Sequence, residues 1–388
     1  MQPSPFLALL DNNPLHCSST FVALESATGR CHPVGSHPCQ GIYYTPAGVP
    51  RPRVAIIATH YSADLSEHYL GPRMAALGIG FLGWNTRFRG AEDTFALEHA
   101  LIDIAAGVRW LRELQGVETL VLLGNSGGGS LMAAYQSQAA NPVLAPRRPG
   151  PWPEAVAALP KGDLYISLNA HGGRPEYLTA IIDPSVIDEF DPVATDPALD
   201  MYNEANGPPY SAEFVLRYRA AQEARNHRIT DWALTELERL QARGHSDRIF
   251  TVNRVWADLR FMDPSLDPSN RIPRTCYGGD PRQTNRGAIG MARAMTLNTW
   301  LSLFSLKHSP CRAALHLPHV TVPSLVIQGL QDVGVFPGDA RLIHEGLGAR
   351  DKRLEFMPGT HFLDSPPGAA DAVAAVMADW IRVQAGSL

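Results

Sequence analysis

Long apolar runs, an excess of charge of one sign and closely spaced cysteine pairs are all missing from this sequence. No run approaches the roughly 20 apolar residues that cross a bilayer, so a membrane is not an expected partner. The formal net charge is -5, which gives no electrostatic reason to expect nucleic acid. The N-terminal "MQPSPFLALLDNNPLHCSS" has no positive residue before its apolar part, and Asp11 follows that part closely. It reads as no signal peptide. The five cysteines are Cys17, Cys31, Cys39, Cys276 and Cys311. Such an odd, sparse set suggests reduced thiols and a cytoplasmic setting. His16, His32 and His37 lie near three of them. However, the Cys31-x7-Cys39 spacing matches no close zinc pair. These residues read as ordinary loop and hairpin positions, and no metal is expected.

What is present suits a folded globular chain: 388 residues, 45% hydrophobic and 18% charged, enough for a large core. Residues Thr20 to Thr45 suggest a β-hairpin. "PRVAIIATH", "GIGFLGWNTR", "VETLVLLG", "GDLYISLNAHGG", "VPSLVIQG" and "KRLEFMPG" read as strands. Helical patterns alternate with them: Ser66–Leu77, Thr94–Leu114, "GGSLMAAYQSQA" and a final "PGAADAVAAVMADWIRVQ". Strands alternating with helices argue for an α/β fold with a mostly parallel central sheet flanked by helices.

Between about Ile182 and Ala313 the alternation stops. "SAEFVLRYRAAQEAR" and "ITDWALTELERLQARG" read as two amphipathic helices, and "RGAIGMARAMTLNTWLSLFSL" as a long apolar helical stretch. The expected organisation is a core of residues 1–182, a mainly helical cap insertion of 183–313, and a second core piece of 314–388. The apolar stretch near Met291–Leu306 suits cap core or a homo-oligomer interface equally.

The informative stretch is "VLLGNSGGGS", Val121–Ser130. A phosphate loop would need Lys before Ser/Thr, and a dinucleotide fingerprint would need glycine at position 126; both fail. G-x-S-x-G between a strand and a helix fits a nucleophile turn, with Gly124 and Gly128 small enough to let Ser126 take a strained backbone. A serine nucleophile needs a base oriented by a third group. Asp332 and His361 each stand just past a later strand, where such sheets place functional groups.

With "GNSGG", "IQGLQDVGV" and "MPGTHF" together, the chain resembles the α/β-hydrolase family over most of Pro52–Ile182 and Pro323–Leu388. The resemblance implies a Ser126–Asp332–His361 triad, a cap inserted before the acid-bearing strand, and no cofactor. Asp183 and Asp339 compete with Asp332 for the acid, and His171 competes with His361. An oxyanion hole would use the amide of Gly127 and a second amide from "ATHYSAD", assigned to Tyr61 with Ser62 as the alternative. Family members often carry His-Gly in that loop, whereas here Tyr61 follows His60. "WNTRFRG" resembles the family's Asp-x-Arg-Gly stretch with Asn85 in place of the acid, and Arg87 and Arg89 read as structural.

The expected reaction is hydrolysis of a carboxylic ester, thioester or lactone through an acyl-enzyme on Ser126. The aromatic insertion suggests a hydrophobic or aromatic small molecule. His60, Tyr61, Trp256, Tyr277 and Trp300 are the candidate substrate-binding residues. The same triad serves amidases, peptidases and carbon–carbon bond hydrolases, and the fold can host a non-catalytic binding protein. A dehalogenase is disfavoured, because it would want a carboxylate at position 126.

Overall fold

The structure, a computed structural model, describes residues 16–28, 37–142, 144, 154–288 and 290–386. Cys31 and His32, weighed above as metal ligands, lie outside them. Among the described residues no group of His, Cys, Asp and Glu is arranged to hold a metal ion. No described helix is long and apolar enough to cross a membrane.

Eight strands form one sheet in the order β1-β2-β4-β3-β5-β6-β9-β10. The expected hairpin is β1 (Cys17–Leu24) and β2 (Cys39–Pro46), paired antiparallel from Cys17 opposite Pro46 to Leu24 opposite Cys39. β3 (Val54–Thr59), β4 (Gly80–Asn85), β5 (Thr119–Asn125), β6 (Leu164–Leu168), β9 (Ser324–Gly329) and β10 (Lys352–Met357) run parallel. A sheet covered on both faces needs apolar residues at both parities. β3 shows this: Ile57 packs into one core layer, whereas Ile56 and Ala58 pack into the other. The first layer holds α2 (Leu97–Arg109) and α3 (Gly128–Ala140). The second holds α1 (Gly71–Ala76) and α8 (Ala369–Ala385). After β3 the chain goes to β4 on one side, and β5 lies on the other. A crevice opens at such a reversal of strand order, beyond the carboxyl ends of the strands.

Four expected helices come out differently. The one expected from Ser66 starts only at Gly71, because Pro72 favours a first-turn position and the residues before it form turns. The two amphipathic helices are one continuous α5 (Ala212–Gln241). Nothing between Arg225 and Ile229 breaks it, and Ser211 caps it by accepting from Phe214 N at 3.1 Å. The long apolar stretch is not one continuous helix; it is helical over 297–304. Its residues Ala294–Thr296 form β8, paired with β7 (Ile249–Thr251) in a separate two-stranded sheet. Thr296 Oγ1 then accepts from Thr299 N, so the chain starts a new turn there. Among the described residues between α4 (Arg174–Ile181) and β9, none joins the eight-stranded sheet. Trp300, Leu303 and Phe304 from this segment enter the same core layer as α2 and α3.

Candidate active site

Ser126 stands between β5 and α3 with φ +56°, a left-handed conformation that costs a non-glycine residue about 1–3 kcal/mol unless its surroundings enforce it. The surroundings are tight. A Cβ on Gly128 would lie 2.1 Å from Thr59 O, and one on Gly124 2.4 Å from Gly129 Cα. The two glycines therefore let the β3 loop and α3 close on the turn, as the sequence suggests. Ser126 N donates to Leu168 O at 3.0 Å, which ties the turn to β6.

Asp332 and His361 meet beyond β9 and β10. His361 Nδ1 donates to Asp332 Oδ2 at 2.7 Å. Asp332 Oδ1 accepts from the amides of Gly334 at 2.9 Å and Val335 at 3.0 Å, and from the Tyr277 hydroxyl at 2.9 Å. The Tyr277 oxygen also lies 2.8 Å from His361 Nδ1. Both members of the pair are buried. Asn169 fixes the strand ends against each other. Its Oδ1 accepts from Gly329 N at 2.7 Å, and its Nδ2 donates to His361 O at 3.0 Å.

The competing acids are engaged elsewhere. Asp183 pairs with Arg254 Nε at 2.7 Å and accepts from Asn285. Asp339 accepts from Phe336 N at the start of α7 (Pro337–Gly346). Arg87 forms a buried pair with Asp103 at 2.6 Å, whereas Arg89 meets Asp64 near the surface at 3.2 Å. Both fit the structural role expected of them.

The loop after β3 lies against the turn. A methyl group on Gly127 would sit 3.0 Å from His60 Nε2 and 3.1 Å from Tyr61 Cδ2. His60 Nδ1 accepts from the amides of Ser62 and Ala63, so its proton resides on Nε2. Burial, then the charges of Arg174, His171 and His361, hold its pKa well below the usual histidine value. The Gly127 amide opens α3, where first-turn N–H groups have no acceptor in the helix.

The expected substrate-binding residues divide. His60 adjoins Gly127. Tyr61 is covered: its hydroxyl meets Ser130 Oγ at 2.9 Å, and its ring packs on Phe95 and under Arg174. Trp256 packs edge-on against Tyr277, and Tyr277 lies against His361. Trp300 is fully buried, with Nε1 donating to Thr230 Oγ1 at 2.9 Å. It belongs to the buried core, whereas the sequence reading assigns it to substrate. The sequence assigns Tyr277 to substrate; in the structure its hydroxyl donates to Asp332 and lies 2.8 Å from His361 Nδ1. Arg174 has no role in the sequence reading, yet its Cζ lies 3.4 Å from the methyl position on Gly127. "GGRP" after β6 gave only the signal of a charged residue at a strand's carboxyl end.

No protein-family model matches the sequence, and no curated protein matches it. Solved structures do. The chain is similar to DcsB, solved with a substrate analogue, at 16% identity and TM-score 0.52, over 95% of this chain and 99% of that one. It is similar to the α/β hydrolase GrgF from Penicillium sp. sh18 at 12% identity and TM-score 0.50, over 95% and 99% of the two chains. Sheet order, the strained turn after β5 and likeness over nearly the whole length agree: the chain has the α/β-hydrolase fold.

Proposed function

We propose that this protein is a serine hydrolase that cleaves a carboxylic ester, thioester or lactone of an apolar or aromatic small molecule. The observation that carries this reading is a strained Ser126 at the carboxyl end of β5 together with a buried His361–Asp332 pair beyond the carboxyl ends of β9 and β10 in the same sheet. In this reading His361 takes the Ser126 proton as the serine oxygen attacks the carbonyl carbon. The amides of Gly127 and Tyr61 hold the developing oxyanion. Asp332 keeps the Nδ1–H tautomer and stabilises the imidazolium. His361 then protonates the leaving alcohol or thiol, and later takes a proton from the water that releases the acid. The rings of Trp256, Tyr277 and Phe362 near His361 support an apolar substrate. The segment between α4 and β9 acts as the cap that carries Trp256 and Tyr277.

The test is intact-protein mass after a fluorophosphonate probe, with peptide mapping, alongside turnover of aryl esters. One adduct on Ser126, lost in Ser126→Ala and in His361→Ala, is the expected result. A folded protein that takes no adduct and turns over no ester overturns the reading.

A further inference from the structure

We infer that His171, Arg174 and Tyr177 form a subsite for a carboxylate on the substrate, beside Ser126. This rests on the hydrolase reading and narrows its substrate class to esters that carry a free acid group.

The three side chains come from one short segment, the loop after β6 and the first two turns of α4. They are only 2%, 2% and 5% exposed. Each has a buried polar atom with no hydrogen-bond partner: His171 Nε2, Arg174 Nε and the Tyr177 hydroxyl. A buried polar group left unpaired costs roughly 1–3 kcal/mol, and native proteins hold few of them. Glu176 Oε2, in the same seven residues, is also unpartnered, but it is an acceptor; the other three are donors, and they mark a place built for an acceptor group.

All three are donors. His171 Nδ1 accepts from Gly173 N at 3.3 Å, so the free Nε2 carries the proton. Burial, then the neighbouring Arg174 and His361 charges, keep that ring neutral. Arg174 donates at every nitrogen. Glu92 Oε1 lies 3.1 Å from its Nη2 and Met291 Sδ 2.8 Å from its Nη1, leaving the Nε edge unmet. Glu92 Oε1 is buried and meets only the Nη2 edge, so it leaves Nε without a partner.

The group lies at the reaction centre. The His171 ring stacks on Tyr177 with centroids 4.5 Å apart. Arg174 Cζ sits 4.9 Å over the Tyr61 ring and next to Gly127. A neutral carbonyl would offer two lone pairs and no charge, whereas a carboxylate offers about four acceptor sites and a full charge.

The test compares an aryl acetate with the aryl monoester of succinic acid, which adds a carboxylate to the acyl chain. The readout is the ratio of kcat/KM for the succinate over the acetate ester. That ratio should fall roughly 100-fold in Arg174→Met and about 10-fold in Tyr177→Phe. An unchanged ratio in both overturns the subsite. Tyr177→Phe removes one oxygen, and it decides the matter if Arg174→Met fails to fold. If wild type turns over neither ester and takes no fluorophosphonate, the hydrolase reading has failed separately. Calorimetric binding of succinic acid monoanilide to Ser126→Ala then reads the subsite directly. Binding that is lost on adding Tyr177→Phe supports it, and no binding overturns it.

Discussion

At the carboxyl end of the central strand β5, Ser126 is held by backbone: a +56° φ, two glycines with no room for a methyl group, and an amide bonded to β6. In the segment between α4 and β9, Tyr277 is held by side chains: a hydroxyl that donates to Asp332 close to His361, and a ring against Trp256. Backbone placement leaves a mark in the sequence, because only certain residue types fit. Side-chain placement leaves almost none, because any tyrosine looks alike until the chain is folded.

The largest way to break this contrast is at the serine itself. Ser126→Ala should lower ester turnover by about 10⁴-fold or more, with unfolding by urea little changed. Activity that survives would move the chemistry away from the turn. Gly128→Ala should instead act on the fold, costing about 3 kcal/mol or more, since its Cβ would collide with backbone rather than with a yielding side chain. Denaturant titration reads this, and a stable variant would refute the tight turn.

Tyr277→Phe should lower kcat about 10-fold with little change in KM. Asp332 Oδ1 keeps two amide donors when the hydroxyl goes. A rise in KM with kcat unchanged would return Tyr277 to the substrate wall. The smallest effect sharpens the comparison through pH. Burial holds His68, near the sheet, and His316, just before β9, down to about 4. In the unfolded chain each takes up a proton near pH 6.5. Stability is therefore full above that pH and falls as pH drops towards about 4, by up to about 1.4 kcal/mol per histidine per pH unit. Thermal unfolding across this window should be flatter in His68→Gln and, equally, in His316→Gln. Flattening from only one would mean that the two regions unfold separately.

How far the sequence could be read follows the same division. Ser126, Asp332 and His361 were legible because strand, turn and glycine spacing place them with no knowledge of distant contacts. Trp300 was misread because an aromatic residue in an apolar stretch looks the same in a core as in a pocket; only Thr230, 70 positions away, shows which. The single helix α5 was split because its polar middle breaks the apolar stripe. Arg225 there is buried and bonded to Asp183 O at 2.7 Å, a distant partner that sequence periodicity does not reveal. Arg174 escaped notice for a related reason. Its position beside Gly127 depends on how the loop after β6 meets the loop after β3.

The bond from Tyr277 to Asp332, close to His361, has a consequence for exchanging parts between proteins of this fold. A chimaera that grafts a foreign cover onto this sheet would inherit Ser126, Asp332 and His361 intact. It would nevertheless lose the hydroxyl that braces Asp332. Under the proposed hydrolase reading, swapping covers would therefore lower turnover unless the incoming segment brings its own tyrosine to that spot.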